Sequence, residues 1–140
     1  MIELDNQTDK TVDITLLERI ADALTEREIE LLLTDDATMR AINSEYRHID
    51  KATDVLSFPF EALPMAPLGS LVISMDHVRV GAETFGHSED DETALLFIHG
   101  LLHLLGYDHE CDDGEMREAE RELIERFGLP ESLIVRTEGA

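Results

Sequence analysis

From Ala94 to Leu105 the chain reads Ala-Leu-Leu-Phe-Ile-His-Gly-Leu-Leu-His-Leu-Leu. At helical spacing these apolar side chains point in every direction around the axis, and a helix that is apolar all round must be covered on all sides. The stretch is also too short to span a bilayer, which takes about 20 apolar residues. It predicts a central, buried helix from about Asp90 to Leu105, with the rest of the chain packed around it. Ser88 is a suitable N-cap, and the acidic residues that follow suit the positive end of the helix dipole.

The remaining segments alternate between strand and helix patterns. Met1–Asn6, Glu28–Thr34, Val55–Phe60 and Leu71–Ser74 read as short strands, with Pro59 placing the third near a sheet edge. Ile14–Leu24 and Met75–Phe85 have helical spacing. Asp35 and Asp36 offer an N-cap for a helix through about Arg47, with Met39, Ile42 and Tyr46 on its buried face. Pro64, Pro67 and Gly69 make Glu61–Gly69 a loop, and Gly86–Asp90 is a polar turn. Asp112–Phe127 predicts a last, charged amphipathic helix with Met116, Ala119, Leu123 and Ile124 inward, and a polar tail starts at about residue 131. The expectation is one α+β domain over residues 1–140. A small mixed four-stranded sheet is packed with helices around the central one.

That central helix carries His99 and His103, four residues apart and so on one face, one turn above the other. Gly106 lets the chain leave the helix through a left-handed turn, after which His109 can swing back toward the first two. A lone histidine is ordinarily a core or surface residue. Two histidines on a helix with almost no polar neighbours are different, because a buried imidazole needs partners for both ring nitrogens. Metal on one nitrogen, with a carbonyl or carboxylate on the other, satisfies each ring. His99, His103 and His109 are therefore candidate ligands of one ion with an open fourth position. This is the layout of catalytic zinc, although nickel, copper or iron also accept imidazole. Water in the open position would ionise near neutral pH. Asp108 is placed either to orient a ligand or to cap the turn. Cys111 reads as a bystander, and the isolated His48, His77 and His87 as polar filler.

The spacing His-x-x-x-His-x-x-Gly-x-x-His is that of metzincin proteases, which carry a glutamate general base directly after the first histidine. Here that position is Gly100, which can do no acid–base work. RNA cleavage needs such a base less, because the 2′-hydroxyl is a built-in nucleophile. Positive charge on the phosphoryl oxygens is the larger requirement. Arg40, Arg47, His48 and Lys51 form the densest basic stretch. On local sequence alone, an arginine there could grip phosphate or simply pair with Glu45 or Asp50.

The whole-chain balance of 11 basic against 32 acidic residues, a formal net charge of −21, repels nucleic acid and anionic membrane at long range. Any RNA must be held by a local basic patch or a bound cation, with weak, salt-sensitive affinity for the naked strand. The one cysteine excludes an internal disulfide. With no basic-then-apolar leader at the start, a cytoplasmic location is expected.

The string from His99 to His109, His-Gly-Leu-Leu-His-Leu-Leu-Gly-Tyr-Asp-His, resembles the signature of the YbeY family of bacterial metal-dependent endoribonucleases. Asn43-Ser-Glu-Tyr46-Arg47 with Thr53-Asp-Val-Leu-Ser-Phe-Pro59 resembles a second family block, and Leu68–Ile73 a weaker third. The resemblance spans residue 1 to the last helix. It implies an α+β fold, a zinc ion on His99, His103 and His109, and a functional role for Arg47. It also implies maturation of ribosomal RNA as the task, with the small ribosomal subunit or its assembly factors as partners, and neither DNA nor membrane. Ser70 departs from the pattern, since members commonly carry aspartate after that glycine. Two rival readings are a metallohydrolase of another substrate and a non-catalytic assembly factor with a structural metal.

Overall fold

The computed structural model describes residues 1–60, 66–108 and 111–130. Its elements run β1 (Ile2–Asn6), α1 (Ile14–Leu24), β2 (Ile29–Thr34), α2 (Asp36–Arg47), β3 (Val55–Pro59), β4 (Gly69–Ser74), α3 (Met75–Phe85), α4 (Glu89–Leu104) and α5 (Glu115–Arg126). The strands form one mixed sheet in the order β1-β2-β4-β3. β1, β2 and β4 are parallel, and β3 runs antiparallel to β4 at the edge. The α+β class, the four strands and the central helix are as the sequence predicts. Of the predicted Glu61–Gly69 loop, residues 61–65 lie outside the described residues, and Gly69 itself opens β4. The tail beyond residue 130 also lies outside them.

Side-chain alternation gives the sheet two apolar faces. Ile29, Leu31 and Leu33 of β2 and Leu71 and Ile73 of β4 face the main core, where α1, α3, α4 and α5 bring Leu17, Val78, Phe97 and Met116. Leu56 and Val72, with part-buried Leu32 and Phe58, face the other way and are covered by Met39 and Ile42 of α2. Ala94–Ile98, Gly100–Leu102 and Leu104 of α4 are all buried, as an all-round apolar helix requires.

Gly100 leaves no room for a side chain between α4 and the sheet. A Cβ there would lie 2.8 Å from Leu71 Cδ2, 3.1 Å from Val55 Cγ2 and 3.2 Å from Ser57 Oγ. The Ser57 hydroxyl donates to the Gly100 carbonyl at 3.1 Å, tying edge strand β3 to the helix that carries both histidines.

Three expectations are corrected. Tyr46 is not on the buried face of α2: it is 64% exposed, and Asn43 is buried instead. The last helix begins at Glu115, three residues later than Asp112, and buries Glu120 beside Met116, Leu123 and Ile124. His87 is not filler, because its ring is sealed against Glu92 at 2.7 Å, with side chains only 2% and 1% exposed. A buried carboxylate needs such a partner.

Candidate metal centre and its cleft

The last turn of α4 builds the centre. Gly106 takes a left-handed φ of +99°. The Gly106 N–H then bonds to the His103 carbonyl and the Tyr107 N–H to the Leu102 carbonyl, both at 3.0 Å. This double closure is the Schellman ending, which folds the chain back over the final turn. It returns the Tyr107 carbonyl to His103 Nδ1, 3.0 Å away. A carbonyl oxygen only accepts, so Nδ1 of His103 carries the proton and Nε2 of the neutral ring carries the lone pair.

His99 is oriented by a different device. Its Nδ1 meets Glu120 Oε1 at 2.6 Å, with the Glu120 side chain 4% exposed. An ionised carboxylate only accepts, so His99 also presents Nε2 as its lone-pair nitrogen. The two Nε2 atoms lie 3.2 Å apart, with the rings edge-on at 81°.

The donor set fits a zinc ion. Two nitrogens on a tetrahedral zinc at 2.0–2.1 Å stand about 3.4 Å from each other. When both rings are neutral their Nε2 lone pairs meet at one point, a repulsion that a cation between them removes. Each ring also has the outer partner that ligating histidines carry. Among the described residues no three His, Cys, Asp or Glu side chains gather as a metal-holding group, and His109, the third histidine of the pattern, lies outside those residues.

His99 and His103 open into a cleft of about 770 Å³. Arg47 at the end of α2, Asp54 and Ser57 on or beside β3, and Asp108 beyond the Gly106 turn also line it. The Arg47 side chain makes no hydrogen bond or ion pair to another described residue. Arg40 does: its Nε and Nη2 hold the two Asp50 oxygens at 2.7 and 2.9 Å. Those hydrogen bonds, and then the Arg40 charge, hold the Asp50 carboxyl below its ordinary value, while Asp50 raises Arg40. The pairing expected of a surface arginine thus belongs to Arg40, and the arginine that lines the histidine cleft is Arg47. His48, directly after it, has a left-handed φ of 59° and turns the chain back toward β3.

β3 borders the cleft with its unpaired edge. Asp54 and Phe60 exchange hydrogen bonds with the β4 side, through Ser74 N to Asp54 O and Phe60 N to Leu68 O. In an antiparallel ladder the intervening Val55, Ser57 and Pro59 turn their backbone groups outward. The Asp54 carboxylate accepts from Val55 N at 2.8 Å. The Asp108 carbonyl accepts from Cys111 N and Asp112 N, so its backbone also builds the turn. Cys111 is exposed and is not among the residues lining the histidine cleft. Neither is Ser70, which shares the Val72 side of β4.

Glu120 escaped the sequence reading. Its signal was an acidic residue at a helical spacing of four from buried Met116 and Ile124, on the inward stripe of α5.

Residues 2–128 match the family model described as Endoribonuclease YbeY. The chain belongs to the YbeY family. The curated Endoribonuclease YbeY of Wolinella succinogenes is 65% identical over 138 residues, covering 99% of each chain. That of Nautilia profundicola is 61% identical with the same coverage, and that of Helicobacter pylori strain J99 is 58% identical, again over 99% of both. Among solved structures, the solution structure of TM1509 from Thermotoga maritima matches with a TM-score of 0.61 at 25% identity, over 99% of this chain and 93% of that one. The YbeY membership covers both the sheet that backs the cleft and the helix that carries His99 and His103. No helix among the described residues is long and apolar enough to cross a membrane.

Proposed function

We propose that this chain is a zinc-dependent endoribonuclease that prefers single strands and acts in the cytoplasm on ribosomal RNA during maturation of the small ribosomal subunit. The observation that carries the reading is the pair of Nε2 atoms 3.2 Å apart in a cleft that Arg47 also lines. Membership in a family of endoribonucleases supports RNA as the substrate.

His99, His103 and His109 would hold the ion. The chemistry such an ion supplies when bound is Lewis acidity, which places positive charge beside the phosphoryl oxygens and lowers the pKa of coordinated water. Everything else falls to the chain. Glu120 and the Tyr107 carbonyl hold the two rings with Nε2 outward. Arg47 binds the scissile or neighbouring phosphate through two parallel N–H donors. The outward Ser57 N–H offers a further donor at the β3 edge. The 2′-hydroxyl of the substrate is one available nucleophile and water the other, and the product end distinguishes them: a 2′,3′-cyclic phosphate or a simple phosphate.

The net charge of −21 opposes tight binding of naked RNA, so specificity is assigned to the ribosomal particle or its assembly factors. The test incubates purified protein of measured zinc content with single-stranded ribosomal RNA, beside His103→Ala and Arg47→Glu. Cleavage by the unaltered chain and its loss in both variants is expected. Equal cleavage by all three would trace the activity to a contaminating nuclease and overturn the reading.

A further inference from the structure

Tyr46 is an exposed large side chain on a helix face that periodicity would bury. Helical spacing puts it on the Met39 face of α2, yet 64% of it is exposed. The ring is nonetheless held: it meets Phe58 edge-on, with centroids 5.7 Å apart and planes at 64°. Phe58 lies on β3 between Ser57 and Pro59, which line the histidine cleft, while its own side chain turns to the opposite, α2-covered face of that edge strand. Tyr46 itself directly precedes Arg47, which lines the same cleft.

We propose that Tyr46, braced by Phe58, is a stacking platform for an unpaired RNA base next to the phosphate held by Arg47; this rests on the endoribonuclease reading above. Two arguments lead to a nucleotide. The first is adjacency. A single strand is gripped by a cation on its phosphate and an aromatic face on its base, and consecutive residues at the end of α2 supply both. The second is charge. With a net of −21, the surface cannot hold RNA through a broad basic field. Arg40 is already tied to Asp50, which leaves Arg47 as the arginine of this stretch that lines the cleft. Affinity must then come from contacts that are insensitive to net charge, and stacking is such a contact. It is also indifferent to base identity, and it rejects paired bases, whose faces are covered.

The test uses the zinc-loaded full chain and short unstructured RNA oligonucleotides. Each oligonucleotide carries 2-aminopurine at one position, so that stacking is read by fluorescence quenching apart from cleavage. Tyr46→Phe, Tyr46→Leu and the unaltered chain are compared, with melting temperature as the folding check; Tyr46→Phe keeps the edge-on contact with Phe58 and should not move it, and Tyr46→Leu should lower it by no more than a few degrees. The expected result is quenching at one position by the unaltered chain and by Tyr46→Phe. Tyr46→Leu should lose the quenching, and its KM should rise about ten-fold with little change in kcat. Placing an abasic nucleotide at that position should erase the difference between the variants.

If the unaltered chain cleaves but Tyr46→Leu keeps its KM and quenching, the platform is overturned while the nuclease reading stands. Tyr46→Leu that works normally on free RNA but no longer associates with ribosomal particles would assign the ring to a protein partner, and would overturn the proposal equally. A chain that neither binds nor cleaves any oligonucleotide would overturn both readings.

Discussion

Glu120 Oε1 stands 2.6 Å from Nδ1 of His99, joining the middle of α5 to the C-terminal half of α4 through a carboxylate that is itself buried. The contact decides which nitrogen of His99 faces the cleft. Glu120→Ala is expected to weaken zinc binding by 10–100-fold, measured by competition with a chromogenic chelator. Glu120→Gln keeps an oxygen acceptor at the same reach and should recover part of that loss. Equal affinity in all three proteins would show that His99 needs no orienting partner.

Gly100 is required by how closely α4 approaches β3 and β4. Its absent side chain makes room for Leu71, Val55 and Ser57, the nearest within 2.8 Å of where a Cβ would sit. Gly100→Val should destabilise the fold by about 3 kcal/mol in urea titration, through overpacking of a filled core. Because His99 is the next residue, activity at a temperature where the variant remains folded should also fall. Unchanged stability would mean that the helix can lift from the sheet without cost.

Two arginines on one helix are predicted to behave oppositely. Arg47→Lys keeps the charge but loses the planar pair of donors, and should lower kcat/KM for single-stranded RNA about ten-fold. Arg47→Glu should abolish cleavage. Arg40→Gln, which breaks only the exposed pair with Asp50, should leave kcat/KM unaltered. A loss of activity in Arg40→Gln would place that guanidinium in the substrate path.

Two exposed carboxylates of the α2 region titrate below their ordinary range. Asp35, the N-cap, is lowered first by the backbone N–H of Thr38, and Asp50 first by hydrogen bonds from Arg40. A folded-state value below the unfolded one stabilises at pH above the unfolded value, about 3.9, and the benefit disappears as pH falls through the depressed value. The stability gap between the unaltered chain and Asp35→Asn/Asp50→Asn should therefore be constant above about pH 5 and shrink below about pH 4. A gap that widens in acid would contradict this sign.

What the sequence alone determined was whatever depends on near neighbours along the chain. The apolar run around His99 dictated a buried helix. The four-residue spacing put His103 above His99, and Gly106 marked the left-handed exit, because each follows from helix geometry within two turns. Tertiary structure alone decided the rest. Glu120 reaches His99 across 21 residues only because α5 packs against α4. Of two arginines equally placed in sequence, Arg40 is occupied because the loop after α2 returns Asp50 to it, whereas Arg47 lines the cleft. Tyr46 obeys the helical period yet stays exposed, because among the described residues β3 is the edge of the sheet and Phe58 meets only one side of its ring. Periodicity tells which way a side chain points, and only the packed elements determine whether anything stands there to meet it.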